Sequence, residues 1–298
     1  MSSFHTSVLL KETVDYLQVS PGKKYIDATL GGGGHTRKIL ELGGIVLGID
    51  VDEDALDFVR KDLESRINNS ELILARGNFR EIDVVAHLKK FNRVSGIVFD
   101  LGVSSHQIDT PSRGFSFLRE GPLDMRMDKD SGLTAEALVN LLEKGELNEL
   151  FNKFGEEHRS YAVSSSIARA RRVKAIRTTS DLVKVIQDAY GIKGDVSDFT
   201  KNLIGKKVFQ ALRIAVNGEL ENLTEALPKA VSLLEEGGRI AIISFHSLED
   251  RIVKKIFKDF EQKKMGKIIT LKPVEPALDE VKSNPRAKSA KLRVLEKI

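Results

Sequence analysis

The sequence predicts an α/β protein, with one parallel sheet covered by helices on both faces and interrupted by a block of inserted helices. Three observations predict it. Short apolar strands alternate with amphipathic helices through the first hundred residues. From Thr134 to about Tyr190 every periodic signal is helical. Alternation then returns near Lys207 and continues towards the C-terminus.

The elements follow in order. Residues 24–29 read as a strand running into four glycines at 31–34, and residues 35–42 as a helix. Residues 45–50 form an apolar strand that ends on an acid, and residues 53–66 a helix with Leu56, Val59 and Leu63 on one face. A strand at 72–75, a helix at 81–90 and a strand at 96–100 complete the first half. Residues 102–132, rich in Gly, Pro, Ser and Arg, read as irregular loop. Leu138, Leu141 and Leu142 are followed by a break at Gly145. Leu147, Leu150, Phe151 and Phe154, then Leu182, Val185, Ile186 and Ala189, recur at helical spacing, with Ser180 as an N-cap. Val208, Leu212, Ala215, Leu220, Leu223 and Leu227 mark one long helix, bent or interrupted at Pro228, and Gly237 and Gly238 close the helical run after it. A strand at 239–245, a helix at 248–260 and strands at 267–271 and 291–295 finish the chain. The economical division is a discontinuous sheet domain, 1–105 with 206–298, around a helical insert at 106–205.

Composition narrows the chemistry. With 298 residues, 41% hydrophobic and 30% charged, the chain suits a globular protein of one large or two ordinary domains. It carries no apolar run long enough for a membrane span and no secretion-signal pattern near its start, so a cytoplasmic location without a membrane partner is expected. There are no cysteines, which excludes disulfides, thiolate metal sites and cysteine-nucleophile catalysis. Charge is uneven. Residues 251–298 hold 14 Lys/Arg against 6 Asp/Glu, a net +8, and the remainder is net −4, which hints at a polyanionic partner or a solvated lysine-rich surface.

The glycine run lies between a strand and a helix, where backbone can approach a ligand at free helix amides. Asp50 ends the next strand, placed to accept both hydroxyls of an adenosine ribose. A dinucleotide fingerprint wants Gly or Ala where this chain has Thr36. Asp27, four residues before Gly31, would repel a pyrophosphate but suit the ammonium of S-adenosylmethionine. The local residues therefore favour that methyl donor over a nicotinamide dinucleotide. Phe79, after the third strand, suits either an adenine platform or the core. Asp100 ends the fourth strand and points to the same crevice.

Six blocks carry a resemblance: 5–10 (HTSVLL), 100–105 (DLGVSS), 113–117 (RGFSF), 121–127 (GPLDMRM), 244–251 (SFHSLEDR) and 284–287 (NPRA). Together they closely resemble the bacterial RsmH (MraW) family, over almost the whole chain. The resemblance implies a class I, Rossmann-like methyltransferase fold with a helical insert after the fourth strand. It implies methyl transfer from S-adenosylmethionine to N4 of a cytidine in the decoding region of 16S rRNA. Carried over by motif, the cofactor contacts fall on Gly33, Gly34, His35, Asp50, Phe79, Asp100 and Gln107.

The chemistry sets further expectations. Cytosine N4 is a poor nucleophile and needs alignment with the methyl and an acceptor for one hydrogen. Asp100 is a candidate acceptor. His246 is a second catalytic candidate, with a structural histidine the competing reading. His246 and Glu249 lie three apart, but no third ligand is in view and no metal is expected. Methylation at ring carbon C5 normally needs a thiolate, which this chain lacks; ribose 2′-O-methylation stays open. Arg159, Arg169, Arg171, Arg172, Lys174 and Arg177, in a stretch without acids, suggest an RNA-binding surface, and Arg286, Lys288, Lys291 and Arg293 a second. Phe115 and Phe117 either stack on a base or anchor their loop. The expected partner is 16S rRNA in the small ribosomal subunit, with no DNA; a homodimer is left open.

Overall fold

The computed structural model describes residues 7–298, so His5 and Thr6 of the first motif block lie outside the described residues. The chain forms two compact units. One comprises the residues up to Ser104 together with Leu220–Ile298, and the other is Ser105–Glu219.

In chain order the first half of the sheet unit is α1 (Leu10–Leu17), β1 (Lys24–Asp27), α2 (Gly34–Glu41), β2 (Ile45–Asp50), α3 (Glu53–Asp62), α4 (Glu64–Asn68), β3 (Leu72–Arg76), α5 (Ile82–Leu88) and β4 (Val94–Asp100). The helical unit holds α6 (Ser105–Asp109), α7 (Ala135–Leu141), α8 (Lys144–Gly155), α9 (Ser160–Val173), α10 (Thr179–Tyr190) and α11 (Asp198–Asn217). The chain then returns through α12 (Glu219–Leu233), β5 (Leu234–Ser244), α13 (Ser247–Gln262), β6 (Gly266–Ile268), α14 (Leu278–Ser283) and β7 (Lys291–Lys297).

The seven strands run in the order β3-β2-β1-β4-β5-β7-β6. The first five are parallel, and β7 is antiparallel to both neighbours. This is a Rossmann-like order with a reversed strand set between β5 and β6, the class I methyltransferase arrangement. β1 pairs with β2 on one side and β4 on the other, so strand order reverses there and a crevice opens beyond its carboxyl end.

Alternate strand residues feed two cores. Ile26, Leu47, Ile97, Phe99 and Ile242 pack with Ile82 of α5, Leu223 and Leu227 of α12, and Val253 and Phe257 of α13. Tyr25, Val46, Val98, Ala241 and Ile243 pack with Val14 of α1, Ile39 of α2 and Leu56 and Val59 of α3. Both faces are therefore covered, which explains strands without polar alternation. Each fully buried aliphatic side chain contributes about 1.5–3 kcal/mol.

Several expected boundaries move. The helix expected over 53–66 breaks at the buried Leu63, which carries φ −114° and divides α3 from α4. Gly145 lies inside α8; the break falls at Leu142 and Glu143, where Glu146 accepts the Glu143 amide at 2.7 Å and starts a new helix. The long helix does not stop at Pro228. It ends at Gly218, whose left-handed φ of 60° closes α11. Pro228 sits within α12, where the buried Ala226, Leu227, Ala230 and Val231 hold the helix against proline's cost. Gly237, at φ 76°, lies in β5 instead of ending a helix, beside a register shift against β4. Because α11 packs against α8, the helical unit runs to Glu219, beyond the 205 boundary expected from the sequence.

The helical unit has its own anchor, built from the 121–127 block. Arg126 forms a bidentate pair with Asp124 at 2.8 and 2.9 Å. The buried Arg113 donates to the carbonyls of Arg126 and Met127. Asn217 receives the Met127 amide and donates to the Met125 carbonyl. A Cβ on Gly121 would stand 1.9 Å from the Pro111 carbonyl oxygen, so the loops meet backbone to backbone.

Candidate active site

The crevice at the carboxyl ends of β1, β2 and β4 begins at the glycine turn. Gly31 and Gly33 have φ of 49° and 73°, and Gly33 is the N-cap of α2. A Cβ on Gly33 would come 2.9 Å from Val59 of α3, and one on Gly34 would come 1.9 Å from the Ser7 hydroxyl. The turn is thus pressed against its surroundings, with the first amides of α2 left for a ligand.

Three acids stand at the strand ends. The Asp50 carboxylate accepts the amides of Gly31 and Asp52 at 2.8 and 2.9 Å. It keeps part of its surface exposed yet lies deep among protein atoms, and that burial raises its pKa to about 6 against the opposing pull of the two amides. Asp27 is 1% exposed. It accepts the Thr36 hydroxyl at 2.7 Å and the Thr29 amide at 3.3 Å. Burial raises its pKa; His35 opposes the shift and nearby Asp100 adds to it. Asp100 donates its amide to the Thr29 hydroxyl at 2.6 Å and sets its carboxylate 3.7 Å from His35 Nδ1. His35 Nε2 is buried without a hydrogen-bond partner.

The structure therefore gathers Gly33, Gly34, His35, Asp50 and Asp100 at one set of strand ends. Phe79 follows β3, half-buried, with its ring edge-to-face on Phe99 at 5.6 Å, part core and part open. Gln107 is buried in α6 of the helical unit, not in the sheet unit that holds the other residues. His246 caps α13 at the end of β5. Its Nδ1 accepts the Glu249 amide at 3.4 Å, and its Nε2 lies 3.2 Å from Glu249 Oε1. The Glu249 carboxylate in turn accepts the amides of Phe245 and His246. The Nδ1 contact serves the turn, and Nε2 is buried without a hydrogen-bond partner.

What sequence reasoning missed is the part that Thr36 and Glu249 play at the site. Thr36 was legible only as a departure from the dinucleotide fingerprint; its hydroxyl is what the buried Asp27 requires. Glu249 reads in the sequence only as a possible metal partner of His246; the structure makes it the N3 residue of a capping box on α13.

The expected RNA surfaces also divide. Arg171 donates to the carbonyls of Val139 and Leu142 at 2.8 and 2.6 Å and fastens the end of α7. Arg159 lies over the Tyr190 ring at 4.7 Å. Arg293 is 8% exposed and holds Asp250 at 2.6 Å. Phe117 packs edge-to-face on Phe209, and Phe115 is buried. Arg171, Arg293, Phe115 and Phe117 serve packing, whereas Arg159, Arg169, Arg172, Lys174 and Arg177 are exposed.

The residues of the crevice suit a cationic, adenosine-bearing cofactor: glycines whose side chains would clash, three acids at neighbouring strand ends and an unpartnered imidazole nitrogen. Residues 2–298 match the profile of the MraW methylase family. The chain belongs to that family. Its methyl donor is S-adenosylmethionine, which the crevice fits. Among relatives of this methylase, the "Ribosomal RNA small subunit methyltransferase H" of Halothermothrix orenii is 44% identical, with 99% of this chain and 98% of the relative covered. The protein of the same name from Fusobacterium nucleatum is 42% identical, with 100% and 98% covered. A solved rRNA methylase from Streptococcus thermophilus shares 13% identity at a TM-score of 0.46, covering 98% of each chain. Among the described residues of this methylase, no helix is long and apolar enough to cross a membrane.

Proposed function

We propose that this methylase transfers a methyl group from S-adenosylmethionine to N4 of a cytidine in the decoding region of 16S rRNA, with the helical unit recognising the substrate. Its relatives are named for methylation of small-subunit rRNA. The observation that carries the chemical reading is Asp100, 9% exposed at the end of β4 and beside His35. A carboxylate so placed accepts a hydrogen from an exocyclic amine, where little water competes.

The bound cofactor supplies an electrophilic methyl on a positively charged sulfonium. Asp50 holds the ribose, and Phe79 offers a face for the adenine. Asp27, fixed by Thr36, favours the cationic end. The N4 lone pair is delocalised into the cytosine ring, so the amine must be held in line and allowed to pyramidalise. Asp100 accepts one N4 hydrogen and takes the proton after transfer. His246 supports this by fixing the turn after β5. A thiolate route to C5 is closed to a chain without cysteine.

The test is methyl transfer from tritiated cofactor to small subunits from cells lacking the gene, beside naked RNA and pre-methylated subunits. The product nucleoside is identified by mass spectrometry. Label on cytidine N4 is expected. Label on a ribose oxygen or another base would overturn the assignment, and Asp100→Asn is expected to lower kcat by about 100-fold.

A further inference from the structure

A basin of about 560 Å³ lies wholly within the helical unit, between the start of α8, one face of α9 and the end of α10. Three cations line it, Lys144, Arg169 and Arg172, against one acid, Asp188. Its aromatic wall is Tyr161, which is 65% exposed. Lys144 Nζ stands 4.3 Å from the centre of the Tyr161 ring and donates to its hydroxyl at 3.1 Å. Arg169 is held by the Ser166 hydroxyl at 2.9 Å. Ala162, Ala168 and Ala189 keep the floor shallow.

We propose that this basin binds one unstacked nucleotide of single-stranded RNA, with the base on Tyr161 and the flanking phosphates on Lys144, Arg169 and Arg172. The assignment deepens the rRNA reading above and rests on it. Tyr161 is 65% exposed although Lys144 touches its ring and hydroxyl, and an exposed ring offers stacking, which tolerates any base. Arg169 and Arg172 lie three apart on α9 and so share a face, spaced to meet successive phosphates. The basin is open and shallow, which suits a nucleotide laid across it with its phosphates towards solvent. An excess of cations over acids is what separates an RNA seat from a peptide groove, where apolar anchors would line the floor. Arg171, adjacent in sequence, is withdrawn from this surface by its bonds to the α7 carbonyls, so the basic stretch has a defined RNA-facing side.

The full-length protein is tested with a fluorescein-labelled single-stranded hexaribonucleotide and, separately, with small subunits in the methyl-transfer assay. Tyr161→Ala is expected to weaken hexamer binding about tenfold, while Tyr161→Phe keeps near-parental affinity. Arg172→Glu is expected to weaken it about tenfold and to reduce the salt slope by at least about 0.7. On subunits both damaging variants raise KM and leave kcat, cofactor Kd and melting temperature unchanged. Parental hexamer affinity and KM in Tyr161→Ala and Arg172→Glu would overturn the proposal. So would competition by polyglutamate as strong as that by RNA, which would reassign the basin to an acidic protein. Absence of methyl transfer by the parent, with the hexamer pattern intact, would overturn the N4 assignment and still support the basin.

Discussion

Asp50 Oδ2 accepts the backbone amide of Gly31 at 2.8 Å, joining the end of β2 to the turn after β1 across nineteen residues. With the Asp52 amide on the other oxygen, two of the roughly four lone-pair sites are used before any ligand arrives. The carboxylate is thereby pre-oriented, with its remaining lone pairs left for the ribose contact proposed above.

Loss of this acid should be felt in cofactor binding. Asp50→Ala is expected to raise the S-adenosylmethionine Kd by about 10- to 100-fold, the value of hydrogen bonds to a charged acceptor. The pKa of about 6 adds a pH signature. If Asp50 takes the ribose as proposed, only its ionised form accepts the hydroxyls, so affinity is expected to be full above about pH 7 and to fall about tenfold per unit below pH 6. The same raised pKa makes the empty protein lose stability as pH rises from about 4 to 6, because there the folded carboxyl keeps a proton the unfolded one has released. Calorimetric titration from pH 5 to 8 checks the binding, and a flat profile for the parent would contradict the assignment. Asp50→Asn is expected to be flat.

Thr36→Val removes the hydroxyl that Asp27 accepts at 2.7 Å, in a site where neither group reaches solvent. The buried carboxyl then loses a donor, at a cost of about 1–3 kcal/mol, and its pKa rises further. Thermal melts should show a clear drop for Thr36→Val and a near-parental value for Thr36→Ser. Equal melts for parent and valine variant would show that the pair carries no stability.

Gly33→Ala meets two obstacles, the left-handed φ of 73° and Val59 at 2.9 Å. Left-handed backbone alone costs an alanine about 1–2 kcal/mol. Adding Val59→Ala should relieve the clash and leave the backbone cost, so the double variant should gain cofactor affinity over Gly33→Ala without reaching the parent. Urea melts and cofactor titration of the set separate the two contributions.

Arg171 and Arg172 are neighbours with opposite tasks. Arg171→Ala takes a charged donor from the Val139 and Leu142 carbonyls and is expected to cost about 1–3 kcal/mol of stability. Arg172→Ala should melt with the parent. If Arg171→Ala melts unchanged, Arg171 returns to the RNA-facing set.

The sequence alone determined the doubly covered parallel sheet, the helical block after the fourth strand and the pairing of a glycine turn with an acid at the next strand end. Those features are local: they rest on apolar periodicity, on turn residues and on which residue ends a strand. Tertiary structure decided the rest. Pro228 was the visible breaker, yet the buried face of α12 carries the helix through it and Gly218 makes the turn instead. A basic stretch reads as one charged run, but the carbonyls at the end of α7, about thirty residues earlier in the chain, withdraw Arg171, and Asp250 withdraws Arg293. Thr36 reads as an anomaly until the fold places it against Asp27. The physical reason is common to these cases. A side chain's role is set by the partner that satisfies it when buried, and those partners come from segments that only folding brings within hydrogen-bond reach.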